Sequence, residues 1–318
     1  MSNNGLGLPF SWMGTKVKMR RVILPILEQI PRTLYAEPFC GAGGLFFGKP
    51  QEKAEVLNDS NRAIINVFKA LQDATRRECV LELLTMMPSS RAAYEMLEPI
   101  VLKYMMGADF TQEKAVAGLS HLDDDTCAAY AFLYAQNNTF AGAGLCRGFC
   151  GGAKGKDAAR FIQGWNNTRA KLPAFATRLA SVQLECLDAL DFLYKYDHND
   201  TLFFIDPPYW CPSSKNYKSD WNKGKEIELV DFLCNCRASY VLTVYNTTNY
   251  ERLLQHDAQC LLVKTRATTP TIKSTMTPRT EYVYCKSGGN VIQLEQDKRR
   301  DYMSMTDVER LLLQEVWT

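Results

Sequence analysis

Two hydrophobic periods alternate along the chain. Short, largely apolar runs recur at Leu34–Glu37, Ala54–Leu57, Val182–Glu185, Thr201–Ile205, Ser239–Val244, Gln259–Thr265 and Tyr282–Cys285, and each predicts a strand. Helical spacing separates them. Val22, Ile23, Ile26, Leu27 and Ile30 form one apolar stripe, with Pro25 as a bend point and Pro31 as the stop. From Ser60 to about Ala135 the pattern is helical throughout. Ile64, Ile65, Val67, Phe68 and Leu71 make one face, Val80, Leu81, Leu83, Leu84 and Met87 another, and Tyr130, Leu133 and Tyr134 a third.

Helical spacing returns over Leu172–Leu179, Ala189–Tyr194 and Asn249–Gln255. Thr306 and Glu309 form a capping-box pattern that opens a C-terminal helix running through Val316. The alternation of the two periods predicts an α/β fold. Strand signals concentrate in residues 1–60 and 180–290, residues 61–179 read as helical, and residues 291–318 as a C-terminal helical extension.

The run Thr201–Ile205 ends at Asp206-Pro207-Pro208-Tyr209. Two prolines fix the backbone after a buried strand, so the turn presents a carboxylate, a carbonyl and an aromatic face with little freedom left to lose. In open α/β sheets, ligands collect beyond the carboxyl ends of the strands. The combination suits a flipped-out nucleobase carrying an exocyclic amine. Asp206 and the Pro207 carbonyl accept its two hydrogens, and Tyr209 stacks on the ring.

A second turn follows the strand at Leu34–Glu37. Pro38-Phe39-Cys40-Gly41-Ala42-Gly43-Gly44 is a glycine-rich segment that lets a ligand approach the backbone closely. The next strand ends in Asn58-Asp59, and an acidic residue at that place binds the ribose hydroxyls of an adenosine moiety. Phe46 stands where the dinucleotide fingerprint needs its third glycine, so the expectation is a nucleoside-containing cofactor rather than a dinucleotide.

Two segments break the periodic pattern. Gln136–Trp165 carries six glycines between Gly142 and Gly155, interleaved with Phe140, Leu145, Arg147, Lys154, Lys156 and Arg160. Trp210–Lys225 alternates Lys215, Lys218, Lys223 and Lys225 with Tyr217 and Trp221. The first reads as a surface loop contacting phosphate and bases, the second as a polar loop suited to phosphate contact.

Composition narrows the class. A chain of 318 residues with 46% apolar content is long enough for one large domain with an elaboration, or for two. No apolar run reaches the length of a membrane span, and Met1-Ser2-Asn3-Asn4-Gly5 does not resemble a signal peptide, so a soluble cytoplasmic protein is expected. The net charge of +2 leaves any contact with nucleic acid to a local basic surface. Eleven irregularly spaced cysteines fit a reducing compartment. With only three histidines and no paired CxxC, neither a metal site nor a Ser-His-Asp hydrolase is expected. Asp123-Asp124-Asp125 reads as a helix N-terminus rather than a metal site.

Several of these motifs, in order, resemble those of Dam-type DNA adenine-N6 methyltransferases. Trp12-Met13-Gly14-Thr15-Lys16 is similar to the family's Trp-Ala-Gly-Gly-Lys, and Glu37-Pro38-Phe39-Cys40-Gly41-Ala42-Gly43 to its Glu-Pro-Phe-x-Gly-x-Gly. Asn58-Asp59-Ser60-Asn61 stands where the family has Ala-Asp-Ile-Asn, and Gly144-Leu145-Cys146-Arg147 resembles the end of its Asn-Gly-Leu-x-Arg.

The resemblance implies a Rossmann-like class I methyltransferase sheet with a mostly helical target-recognition insertion. Residues 1–60 and 180–290 would bind S-adenosylmethionine, which leaves as S-adenosylhomocysteine, and residues 61–179 would recognise the target. Trp12, Lys16, Glu37, Phe39, Gly41, Gly43, Asp59, Asp188 and Asp206 are the implied cofactor-binding residues. Asp206, Pro207, Pro208 and Tyr209 are the implied catalytic ones. Phe140, Leu145, Arg147, Lys215 and Lys218 would meet double-stranded DNA. Ser11 and Ala143 replace polar residues of GATC-specific members, and the family's Asn-Val-Pro stretch is missing, which leaves the target sequence open.

The expected reaction is direct in-line methyl transfer to the N6 amine of a flipped adenine. A cytosine-N4 enzyme is the alternative, since it also needs an activated exocyclic amine, and a silent DNA-binding regulator is a third reading. The oligomeric state is open, with a monomer acting on DNA as one arrangement, and so is the presence of a companion restriction enzyme.

Overall fold

The computed structural model describes residues 5–139, 148–149, 155–208, 221–245, 249–266, 278–288, 292 and 302–304. Its strands are β1 (Leu34–Glu37), β2 (Ala54–Asn58), β3 (Gln183–Glu185), β4 (Thr201–Ile205), β5 (Ser239–Val244), β6 (Gln259–Arg266), β7 (Pro278–Lys286) and β8 (Tyr302–Ser304). They form an eight-stranded sheet in the order β3-β2-β1-β4-β5-β7-β6-β8. The chain divides into two compact units. One comprises Met1–Arg20, Cys40–Gln51 and Val56–Leu187, the other Arg21–Phe39, Glu52–Glu55 and Asp188–Thr318.

The first unit carries most of the helices: α2 (Arg62–Gln72), α3 (Ala74–Met86), α4 (Arg91–Met106), α5 (Thr111–Val116), α6 (Asp124–Asn137) and α7 (Gly155–Leu179). Their starts are written in the sequence. The side chains of Asn61, Asp73, Ser90 and Asp123 accept backbone N–H groups at the N-termini of α2, α3, α4 and α6. The aspartate run at 123–125 therefore caps a helix, with Asp124 and Asp125 in its first turn.

Helix α6 is buried from Thr126 through Gln136, so it is the central helix of this unit and not an amphipathic one with a single Tyr130–Tyr134 face. Helix α3 departs the other way, because only Val80 and Leu84 of its expected face are buried. Helix α7 begins at Gly155, so Lys156 and Arg160 belong to a helix and not to the preceding loop. Val56–Asn58 of β2 pair in parallel with Gln183–Glu185 of β3.

The second unit holds α1 (Arg20–Glu28, from its second residue), α8 (Ala189–Lys195), α9 (Lys223–Asn235) and the strands β1, β4 and β5, which pair in parallel. All five residues of β4 and all six of β5 are buried, as the continuous apolar runs require of strands covered on both faces. Strands β7, β6 and β8 then add antiparallel pairs. The strand order reverses between β1 and β4, so the loop after β4 lies at a topological switch point.

Three expectations change here. Tyr250–Gln255 is a 3-10 helix and not an α-helix. Lys223 and Lys225 lie in the first turn of α9, whose start is set by the Asn222 side chain accepting from the Gly224 and Lys225 amides, so the polar loop ends earlier than Lys225. Tyr302–Ser304 pairs with Leu261–Val263 as β8, so the segment 291–318 is not helical throughout. The helix expected over Thr306–Val316 lies outside the described residues.

Candidate active site

In the first unit the turn after β1 is built around Asn58 and Asp59. The Cys40 amide donates to the Asn58 carbonyl at 2.9 Å, and the Gly43 amide to the Cys40 carbonyl at 2.8 Å. The Asp59 carboxylate then accepts from two backbone amides, Gly41 at Oδ2 and Asn61 at Oδ1, both at 2.9 Å. Burial pushes the Asp59 carboxyl up to about 6, against the lowering effect of these two bonds, although the residue keeps some exposure. The result is an acidic group held in one orientation with acceptor capacity to spare, since each carboxylate oxygen takes more than one hydrogen bond.

Gly41 and Gly43 adopt φ of +49° and +69°, where a side chain is strained. Space forbids one as well. A Cβ on Gly41 would come within 2.9 Å of the Trp12 indole, and one on Gly43 within 2.7 Å of the Phe47 ring. Trp12 is half-buried, with Phe10 edge-on at 6.1 Å and Phe132 of α6 at 6.4 Å. Lys16 is buried and its ammonium donates to the Gly14 carbonyl at 3.1 Å.

Two residues that hold this turn, Asn58 at the end of β2 and Arg20 at the start of α1, were given no role of their own by the sequence. Asn58 is fully buried; its amide nitrogen donates to the Leu187 carbonyl at 3.2 Å and its oxygen accepts from the Leu187 amide at 2.8 Å. Arg20, also buried, donates to the carbonyls of Gly44 at 2.7 Å and Leu6 at 2.8 Å, which ties the N-terminal segment to the glycine turn.

In the second unit Asp206 and Pro207 follow the last residue of β4, Ile205, which pairs with Leu242 of β5. The next residue of β5, Thr243, is fully buried and donates its hydroxyl to Oδ1 of Asp206 at 2.9 Å. Pro207 is buried and Pro208 partly so. At the end of β1, the buried Glu37 accepts from the Tyr35 hydroxyl at 2.6 Å. Burial and the Glu37 charge together raise the Tyr35 phenol well above its usual range. Phe39 meets Trp221 edge to face at 5.1 Å.

Asp188 caps α8 through the Leu190 amide and pairs with the Lys225 ammonium at 2.8 Å. Burial alone would raise its carboxyl, but the hydrogen bonds from Lys225 and Leu190 outweigh it and hold the group below the usual carboxylate range. The Lys225 ammonium is thus paired with a carboxylate at the start of α8. Tyr209, Phe140, Leu145, Arg147, Lys215 and Lys218 lie outside the described residues. The backbone on either side of residues 140–147 is joined by a Thr139–Phe149 bridge and by the Thr139 hydroxyl donating to the Gly148 carbonyl at 3.3 Å.

From Trp12 to just past the end of β6, the chain matches the family model for D12 class N6 adenine-specific DNA methyltransferases, over residues 12–269. The protein belongs to this family. It is an enzyme that methylates the N6 amine of adenine in DNA, and the cytosine-N4 alternative is not favoured.

The matched segment of this methyltransferase holds both turns described above, with Asp59 in one and Asp206 in the other. Methyltransferases of this kind generally use S-adenosylmethionine. The residues present fit a nucleoside-bearing cofactor, because Gly41 and Gly43 leave backbone without side chains and Asp59 offers a fixed acceptor for hydroxyl groups. Among the described residues no cluster of His, Cys, Asp and Glu has the arrangement of a metal site, and no helix is long and apolar enough to cross a membrane.

Proposed function

We propose that this enzyme takes its methyl group from S-adenosylmethionine and acts on double-stranded DNA, with the target adenine turned out of the helix. The observation that carries the reading is the Asp206 carboxylate, fixed by Thr243 at the end of a fully buried strand and followed by the rigid Pro207-Pro208. The exocyclic amine of adenine is a weak nucleophile because its lone pair is delocalised into the ring. Asp206 accepts one amine hydrogen and the Pro207 carbonyl the other, which localises the lone pair on nitrogen. Tyr209 stacks on the extruded base and holds it in register.

Asp59 accepts the ribose hydroxyls of the cofactor, and the Gly41–Gly43 turn, with Trp12 and Lys16, admits it close to the backbone; Glu37, Phe39 and Asp188 are further cofactor-binding positions that the family motifs imply. When bound, S-adenosylmethionine supplies an electrophilic methyl group on a sulfonium. Rate acceleration comes from alignment and from polar groups fixed where charge develops. Asp206 need not take the proton in the transition state, because the amine becomes strongly acidic once alkylated. Phe140, Leu145 and Arg147 contact the target bases, and Lys215 and Lys218 the phosphates.

The test is incubation of the enzyme with unmethylated genomic DNA and S-adenosylmethionine labelled in its methyl group, followed by digestion to nucleosides. Label is expected in N6-methyldeoxyadenosine. Label confined to N4-methyldeoxycytidine, or none in DNA, would overturn the reading.

A further inference from the structure

Thr243 lies between Leu242 and Val244 in β5 and is fully buried, a polar side chain among apolar neighbours. A valine would suit such a position better, because a buried hydroxyl without an acceptor is costly. The hydroxyl finds its acceptor in Oδ1 of Asp206 at 2.9 Å. The register explains the meeting. Ile205 pairs with Leu242, so Thr243 comes level with Asp206, one residue past the end of β4. A β-branched side chain in a strand has few rotamers, so the donor is itself held still.

We infer that Thr243 is a positioning residue for methyl transfer: its hydroxyl sets the orientation of the Asp206 carboxylate toward the target amine. The inference rests on the proposed role of Asp206. Hydrogen bonding to a carboxylate is charge-assisted and directional. An Asp206 that rotates no longer accepts from the amine. Thr243 touches neither substrate nor cofactor in this scheme and acts through Asp206 alone.

The experiment compares Thr243→Val, which keeps shape and removes the donor, with Thr243→Ser, which keeps the donor and removes a methyl. Single-turnover methylation of unmethylated genomic DNA is measured at saturating enzyme and S-adenosylmethionine. Binding of S-adenosylhomocysteine and of the same DNA is measured separately. Loss of a hydrogen bond to a charged group lowers the rate by about ten- to a hundredfold. Thr243→Val is expected to show that loss in the single-turnover rate with both binding constants within about twofold of the parent. Thr243→Ser is expected to recover most of the rate.

An unchanged rate in Thr243→Val, or an equal loss in Thr243→Ser, would overturn the inference, since packing rather than the hydroxyl would then be at work. Should Thr243→Val not fold, Thr243→Ala against Thr243→Ser provides the same comparison. Asp206→Ala is run alongside. If it methylates normally, the reading of Asp206 itself has failed; if it is inactive while Thr243→Val is not, only the inference about Thr243 has failed.

Discussion

The Gly41 amide donates to Oδ2 of Asp59 at 2.9 Å, so the turn after β1 and the acid after β2 hold one another in place. The same contact links a backbone conformation open chiefly to glycine with a carboxyl group pushed up to about 6 by burial. With Asp59 in its proposed place at the ribose, cofactor affinity and protein stability are expected to respond to pH in opposite senses.

For affinity, the ionised form of Asp59 is the better acceptor of ribose hydroxyls. Binding of S-adenosylhomocysteine, followed by calorimetry, is expected to be flat between about pH 7 and 8 and to weaken up to about tenfold per unit below pH 6. Asp59→Ala should bind weakly with no such dependence. A flat profile from pH 5 to 7 in the parent enzyme would remove Asp59 from the ribose.

For stability, the folded-state pKa of about 6 lies above the ordinary 3.8, so the folded protein binds the Asp59 proton more tightly. The contribution is fully present below pH 3.8 and is lost as pH rises through 6. At one unit per 1.4 kcal/mol it amounts to at most ~3 kcal/mol. Comparing urea midpoints of the parent and Asp59→Ala between pH 4 and 7 isolates this slope, and parallel curves would contradict it.

Gly41→Ala adds a side chain where φ is +49° and where its Cβ would press on the Trp12 indole. The left-handed conformation costs roughly 1–2 kcal/mol for an L-residue, and displacing the indole adds to it. Calorimetry is expected to show cofactor affinity at least about tenfold weaker. Unchanged affinity would mean that neither the turn nor Trp12 faces the cofactor.

Asn58→Ala strips both hydrogen bonds from Leu187 inside the fold. Leaving a fully buried amide or carbonyl unsatisfied costs about 1–3 kcal/mol, and the partly buried groups of Leu187 are expected at the low end of that range. A fall in the urea midpoint of that order is the expected outcome. A loss under 0.5 kcal/mol, roughly what a surface substitution costs, would show that water replaces the side chain without penalty.

Lys225→Ala distinguishes a lysine paired with Asp188 from the proposed phosphate contacts. Its ammonium is engaged with Asp188, and because both side chains are partly exposed the pair contributes little, about 0–1 kcal/mol. The slope of log K against log salt for DNA binding should therefore stay unchanged in Lys225→Ala. Loss of Lys215 or Lys218 should reduce it by about one each. A reduced slope in Lys225→Ala would place that lysine on the phosphates after all.

Most strands and both turns were legible because their signals are local. Thr201–Ile205 is a closed apolar run ended by two prolines, and Asp59 follows its strand directly. The family motifs pointed to the same reaction as the later match over residues 12–269. What escaped was set by distance along the chain. Thr243 meets Asp206 across 37 residues and Asn58 meets Leu187 across 129, and neither residue stands out in its own neighbourhood. Helix α6 was misread because small residues such as Ala128, Ala129 and Ala131 do not mark a face, yet they let neighbouring helices close in on every side. The first turn of α9 was missed because Lys223-Gly224-Lys225 reads as loop, while the cap that starts the helix, Asn222, precedes it.

The central claim is that Asp206 activates the adenine amine, and its most direct test is the single-turnover methylation rate of Asp206→Ala. The variant must first be shown to fold, by its circular dichroism and its urea midpoint, and to bind DNA. At saturating S-adenosylmethionine, which offsets any loss of cofactor affinity, formation of N6-methyladenine should fall by about 10²–10³, the usual cost of removing one fixed polar contact from a site shielded from water. A folded Asp206→Ala enzyme that forms N6-methyladenine at the parental rate would contradict the account.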